Sequence, residues 1–347
     1  MRRVLLVTAG VVGTIAIAVA GYSGYWFIAA GEIGDRIDDW AEKQRADGLE
    51  IESGGTYVSG FPLRFEVTLR EPRIHDTRNG WRWATDSLRA EASAWDFSEV
   101  TVFPDRRNAV QVLAEGGEWR AIDAHVGGGQ MVVRLDDDRR FREVTLDLQG
   151  VEVAGVWPER VAHVDSLQAN GIAIDDDGSG EHILKTSIAV RHAVLPSDLA
   201  EGLGETLDFL DIDASVVGSI PSERGTNEAI TAWRDAGGTL ELTGFRVRWG
   251  PLGIESAGTI ALDGAMRPIA ALTADIIGYG DVIDALIMSN MIPLGDAFIA
   301  KVAFNMLAEK PEDGGPPVLR GVPVTAQDGT LTVATIKVAE LPPLPLE

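Results

Sequence analysis

Five histidines supply the side chains that titrate near neutrality, and their spacing decides what they can do. His75, His125, His163, His182 and His192 never fall as His-x-x-x-His or His-Glu-x-x-His, the patterns that put two imidazoles on one helical face for zinc. No cysteine occurs, which removes thiolate metal sites, cysteine nucleophiles and disulfides together. The run Asp175-Asp176-Asp177-Gly178 invites a calcium loop. With Gly178 at the loop glycine, however, the first ligand would be Ala173 and the twelfth Leu184, where oxygen donors are required. A solvated turn explains this run, and Asp136-Asp137-Asp138 as well. Past the first apolar segment there is no Gly-x-Ser-x-Gly elbow, phosphate-binding loop or dinucleotide glycine pattern; Gly202-x-Gly204 lies inside a helical pattern. The expectation is a protein without catalytic, metal-ligating or cofactor-binding residues, and not an enzyme. The nine tryptophans read as core and rim packing, with a ligand cleft as the alternative.

The elements that would carry any function begin with an address. Arg2 and Arg3 precede an uncharged run from Val4 to Ala30, which as a helix rises roughly 40 Å and exceeds the ~30 Å hydrocarbon core. Tyr22, Tyr25, Trp26 and Phe27 cluster at its outer end, where amphipathic rings prefer the interface. The arginines favour a cytoplasmic N-terminus, so the expectation is a single-pass inner-membrane protein with its bulk in the periplasm. A cleaved signal peptide ending at Ala18-Val19-Ala20 is the competing reading, and it leads to the same compartment. Removing Arg2 and Arg3 from the 30 basic residues leaves 28 against 53 acidic ones, or −25 outside the membrane. Such a surface repels phosphate backbones, so nucleic acid is not an expected partner.

The domain plan is an anchor over 1–31, a membrane-proximal helix over 32–48, and a β-rich domain over 49–347 with a possible subdivision near 196–237. Ile33, Ile37, Trp40 and Gln44 give the second segment its helical spacing, and Gly48 stands where a C-terminal cap belongs. The period then changes to two: Leu63, Phe65, Val67 and Leu69 alternate with Arg64, Glu66, Thr68 and Arg70. Similar short strands recur around Trp81, Val110, Val133, Leu146, Ile172 and Ile188, separated by Gly and Asp clusters that include Gly127–Gly129. Between Leu242 and Phe245 the alternation slips phase at Gly244, which predicts a β-bulge. Helices are predicted over Pro196–Leu210, Glu223–Ala236, Val282–Met291 and Ala297–Leu307, the last with Asp296 as N-cap. The last two are apolar nearly all round and are expected to be buried. The fold class is mainly β (α+β): an N-terminal transmembrane helix, then a long curved antiparallel meander with a few helices packed on its concave face.

Several motifs in order resemble a known family. They are Tyr25-Trp26-Phe27, Arg45-Ala46-Asp47-Gly48, Gly60-Phe61-Pro62-Leu63-Arg64-Phe65, Trp81-Arg82-Trp83-Ala84, Trp249-Gly250-Pro251-Leu252, Gly258-Thr259-Ile260-Ala261-Leu262-Asp263, Asp328-Gly329-Thr330-Leu331 and Leu341-Pro342-Pro343-Leu344. Across nearly the whole chain this resembles the alphaproteobacterial domain of unknown function 2125. More distantly, the anchor, the Gly-Phe-Pro strand and the amphipathic meanders look like AsmA-type envelope proteins. That likeness implies a β-groove that carries or shields lipid, at the level of fold analogy. The leading expectation is a periplasmic apolar groove for lipid handling or envelope maintenance, walled by Leu63, Phe65, Val67 and Leu69 on one strand and Ile254, Ile260 and Leu262 on another. The alternative is a structural adaptor that binds envelope proteins through its acidic surface or its tail prolines Pro342, Pro343 and Pro345.

Overall fold

The structure is a computed structural model that describes residues 2–46, 48–114, 117–138, 140–157, 160–174, 183–196, 203–220, 226–288, 294–311 and 314–344. Side chains are described from residue 21 onward, apart from 46, 157, 226, 227 and 296. The described residues form four helices and one antiparallel sheet of nineteen strands. Four long strands open the sheet, each broken once. They are β1 (Leu49–Glu52) with β2 (Thr56–Ser59), β3 (Arg64–Arg70) with β4 (Arg73–Asp76), β5 (Trp81–Thr85) with β6 (Ser87–Ser93), and β7 (Glu99–Pro104) with β8 (Arg107–Leu113). Their halves pair as β1–β4–β5–β8 and β2–β3–β6–β7, and both files end on β9 (Trp119–Leu135).

From β9 the sheet is a plain meander. It continues through β10 (Phe141–Trp157), β11 (Arg160–Ile174), β12 (Ile183–Val194) and β13 (Thr206–Val217). Next come β14 (Thr239–Trp249), β15 (Leu252–Leu262) and β16 (Pro268–Ile277), then β17 (Val318–Gln327), β18 (Thr330–Val333) and β19 (Ile336–Glu340). Each strand pairs with the next, and the ladder β12–β13–β14 crosses the 196–237 region unbroken. The slip at Gly244 is present as a register shift between Leu242 and Phe245, where β14 carries one extra residue against β15.

Helix α1 runs Arg2–Ala46 without a break at Gly31, and Gly48 closes it at φ 83° with its amide on the Arg45 carbonyl at 3.1 Å. Among the described residues no helix is long and apolar enough to cross a membrane, and the side chains of the Val4–Ala20 part of the expected span lie outside them. α2 is Thr226–Asp235, α3 Tyr279–Met288 and α4 Leu294–Leu307.

Four expectations need correction. Thr206–Leu210 is strand, not the end of a helix; residues 197–202 of that segment lie outside the described ones. Leu203, Leu207 and Leu210 mimic helical spacing because an extra residue at Asp208 shifts the strand phase between Leu207 and Phe209. Gly127–Gly129 is no turn but the middle of the 17-residue β9. Glycine is needed there for close approach: a Cβ on Gly129, at φ 145°, would stand 2.1 Å from the Asp147 carbonyl oxygen. Asp296 lies inside α4 rather than capping it. Finally, α4 buries only one face, and the face pointing away from the sheet is exposed.

Candidate functional site: an open apolar face and a polar crease

Lateral registry turns the alternation of single strands into rows. One row reads Leu148, Leu167, Val190, Leu210, Val247, Ile254, Ile276 and Leu319 across eight neighbouring strands. The next reads Val58, Val67, Ala90, Val102, Met131, Leu146, Ala169, Ile188, Ile212 and Phe245 before meeting Ser256, Ala274 and Val322. No charge interrupts either row. The opposite face carries Glu66, Arg89, Glu91, Arg134, Asp211, Arg246 and Glu255, joined in part by ion pairs such as Arg134–Glu99 at 2.9 Å and Arg246–Asp211 at 3.3 Å.

Among the described residues, helices cover the apolar face at its late and early ends, and mid-sheet Leu207, Ala214 and Leu242 are buried as well. At the late end Tyr279 and Ile283 of α3 and Ala297, Ala300 and Phe304 of α4 close over Ala274, Leu319 and Val322, leaving Leu319 without exposure. At the early end Trp26 of α1 stacks on Phe65 with ring centroids 5.1 Å apart, and its indole N–H donates to the Arg64 carbonyl at 3.1 Å. Phe27 stacks on Phe61 at 5.7 Å, and the Tyr22 hydroxyl donates to the Pro62 carbonyl, so the Gly60-Phe61-Pro62 turn is the socket for α1. Between the ends, Leu148, Leu167, Val190, Leu210, Val247 and Ile254 are all half-buried. The accessible surface of the chain is 21354 Å². A compact monomer of 37.1 kDa would show about 13,600 Å². The 45-residue α1 and the half-buried rows of the sheet both add to that surface.

The seven groove residues named from the sequence separate accordingly. Phe65 is buried under Trp26 and so is filled by the protein itself, while Leu63 is 64% exposed in the turn before β3. Val67, Leu69, Ile254, Ile260 and Leu262 are half-buried on the apolar face. The mid-sheet rows between them were missed. They rest on which residues stand opposite one another on neighbouring strands, which alternation within a strand does not reveal.

A second feature crosses the strands. At Ser53–Gly55, Glu71–Pro72, Asp86 and Asp105–Arg106 the first four long strands break. In line with them Gly150, Asp165, His192 and Asp208 have no register partner. Several adopt left-handed backbone: Gly55 at φ 128°, Glu71 at 43°, Gly150 at 58° and His192 at 46°. Amides bridge the break, Glu71 to the Asp86 carbonyl at 2.9 Å and Val126 to the Arg106 carbonyl at 2.8 Å. On the polar face this crease borders a groove of about 700 Å³ lined by Glu71, Arg73, Asp86, Arg107, Asp123, His125 and Glu152. Most of its charges face one another: Arg107 meets Asp86 at 2.9 Å, Arg73 meets Glu71 at 3.8 Å, and His163 bridges Glu152 and Asp165 at 3.8 and 3.1 Å. The Ser87 hydroxyl donates to Asp105 at 2.7 Å and holds that carboxyl below its ordinary range against the opposing effect of burial. Among the described residues no group of three or more acidic or histidine side chains is arranged to hold a metal ion; the Asp175–Gly178 run lies outside them.

The tail is laid on the sheet. Its Leu341 amide donates to the Gly329 carbonyl at 2.7 Å and the Leu344 amide to Met266 at 2.9 Å, while residues 345–347 lie outside the described ones. Pro342 and Pro343, between these two bonds, are exposed.

A family model described as an uncharacterized protein conserved in bacteria, DUF2125, matches residues 26–342. No curated protein and no solved structure matches the chain.

Proposed function

The chain belongs to the DUF2125 family, and from that premise we propose that it binds the acyl chains of membrane lipid on the open apolar face of its sheet. The observation that carries this is the row Leu148, Leu167, Val190, Leu210, Val247 and Ile254, uncharged and half-buried with no layer above it among the described residues. At ~4.8 Å per strand these six strands span roughly 24 Å. Water is a poor neighbour for such a surface, and contiguous apolar patches this wide mark binding sites. Acyl chains ask for area and no hydrogen bonds, which is what the rows offer. Bulges bend strands, and in this reading the file of breaks curves the sheet into a trough with the apolar rows inside.

In this reading the uncharged Val4–Ala30 segment spans the inner membrane and α1 carries it directly to Phe65, so the trough begins beside the bilayer. The bulk of the chain then lies in the periplasm and supports envelope maintenance by holding or passing lipid, without catalysis. The test uses the full chain purified in mild detergent. Native mass spectrometry and solvent extraction are expected to find bound phospholipid, and a photoreactive side chain at Ile188 or Leu210 is expected to capture it. The same group at Gln168, exposed on β11, is the control. A lipid-free protein, or equal capture at all three positions, would sink the reading.

A further inference from the structure

The face of α4 that points away from the sheet is the least water-compatible surface of the described residues. Leu294, Phe298, Val302 and Met306 follow one another at intervals of four, so they form one stripe, exposed at 73, 70, 44 and 83%. Ile299 and Leu307 widen it. The inner face of the same helix, Ala297, Ala300 and Phe304, is buried on Leu319 and Val322. Water therefore meets a helix that is apolar on both sides.

We propose that this stripe docks into the interfacial zone of a zwitterionic phospholipid bilayer. Four observations select that occupant. A protein interface carries a hydrogen bond per 100–200 Å², and the six exposed residues of this stripe offer no polar side chain. Lys301, the charged side chain described on α4, is turned to Asp284 of α3 with its ammonium 2.6 and 2.7 Å from the two carboxylate oxygens. With 14 residues the helix is roughly 21 Å long, too short to span ~30 Å of hydrocarbon but suited to lying in the plane of the interface. The net charge of −23 opposes anionic lipid, which leaves a neutral headgroup surface. The inference stands on the stripe alone and does not need lipid on the mid-sheet rows.

The absence of cysteine allows single labels. Phe298→Cys, Met306→Cys and, as control on an exposed face of β15, Thr259→Cys are introduced into the full chain. Each is coupled to a polarity-sensitive fluorophore and reconstituted into phosphatidylcholine vesicles, with and without bromine on the acyl chains. The expected result is a blue shift at 298 and 306 that bromine quenches, with neither effect at 259. Emission at 298 and 306 that stays at its aqueous position overturns the proposal. So does shielding without bromine quenching in which chemical cross-links join two copies, because the stripe would then be a self-association surface. Lipid extraction reads the mid-sheet rows separately, so either idea can fail without the other.

Discussion

Leu319 and Leu210 stand on the same lateral row, four strands apart, and each comes from a strand whose alternation is broken once by an extra residue. One has no exposure and the other is half-buried. Nothing in their own strands separates them. The difference is that α3 and α4 lie over Leu319, whereas no described helix is packed on Leu210. The sheet therefore presents one apolar surface in two states: helices make its ends protein core, and the row from Leu148 to Ile254 is half-buried.

The largest effects are expected where the surface is core. Phe65→Ala removes a ring that is 1% exposed and stacked on Trp26. A loss of roughly 4 kcal/mol is expected, as for buried aromatic truncations, together with release of α1 from the sheet. Urea denaturation gives the first, and protease sensitivity at the α1–β1 junction the second. Leu319→Ala should cost roughly 3 kcal/mol, since α3 and α4 cannot collapse fully into the space left. A loss below ~1 kcal/mol at either position would break the comparison by showing that the ends are no better packed than the middle.

The middle should respond in the opposite way. Leu210→Ala is expected to change the unfolding free energy from urea denaturation by less than about 1 kcal/mol, because a half-exposed side chain gives up little burial and opens no closed cavity. Leu210→Lys together with Val190→Lys should leave folding near wild type, since both ammonium groups reach water, yet strip co-purifying lipid. If these variants unfold the protein, the mid-sheet rows are core and the open-face reading falls.

Much of this fold was legible in the chain. Alternation at Leu63–Arg70 and the phase slip at Gly244 marked strands and a bulge that are present. Alternation reports which face a side chain takes, not whether that face has a cover. The expectation of fully buried C-terminal helices failed for that reason: an apolar helix looks the same from sequence whether protein, lipid or water lies beyond it. The crease was illegible for another reason. Glu71, Asp86, Asp105, Asp165 and His192 are unremarkable singly, and they become one feature only when nine strands are set in register. The helix expected to end at Leu210 shows a local signal misread, because one extra residue at Asp208 converts a period of two into an apparent four-and-three.

The smallest effect belongs to the crease, and it sharpens the comparison by testing a region where polar contacts, not covering helices, hold the sheet. Asp105 is held below its ordinary range chiefly by the Ser87 hydroxyl, assisted by the Arg106 amide. A carboxyl whose folded value is depressed contributes stability above its unfolded value of roughly 4, and that contribution is lost as pH falls through the folded value. The urea midpoint should therefore decline on acidification below about pH 4, with Asp105 adding its share. Ser87→Ala removes the principal donor, so the variant should be slightly less stable at pH 7 and lose less on acidification. The two curves should converge at low pH. Parallel curves would mean that the Ser87–Asp105 contact contributes nothing to the break between β7 and β8. The turn would then be held by its backbone bonds alone, among them Val126 to the Arg106 carbonyl.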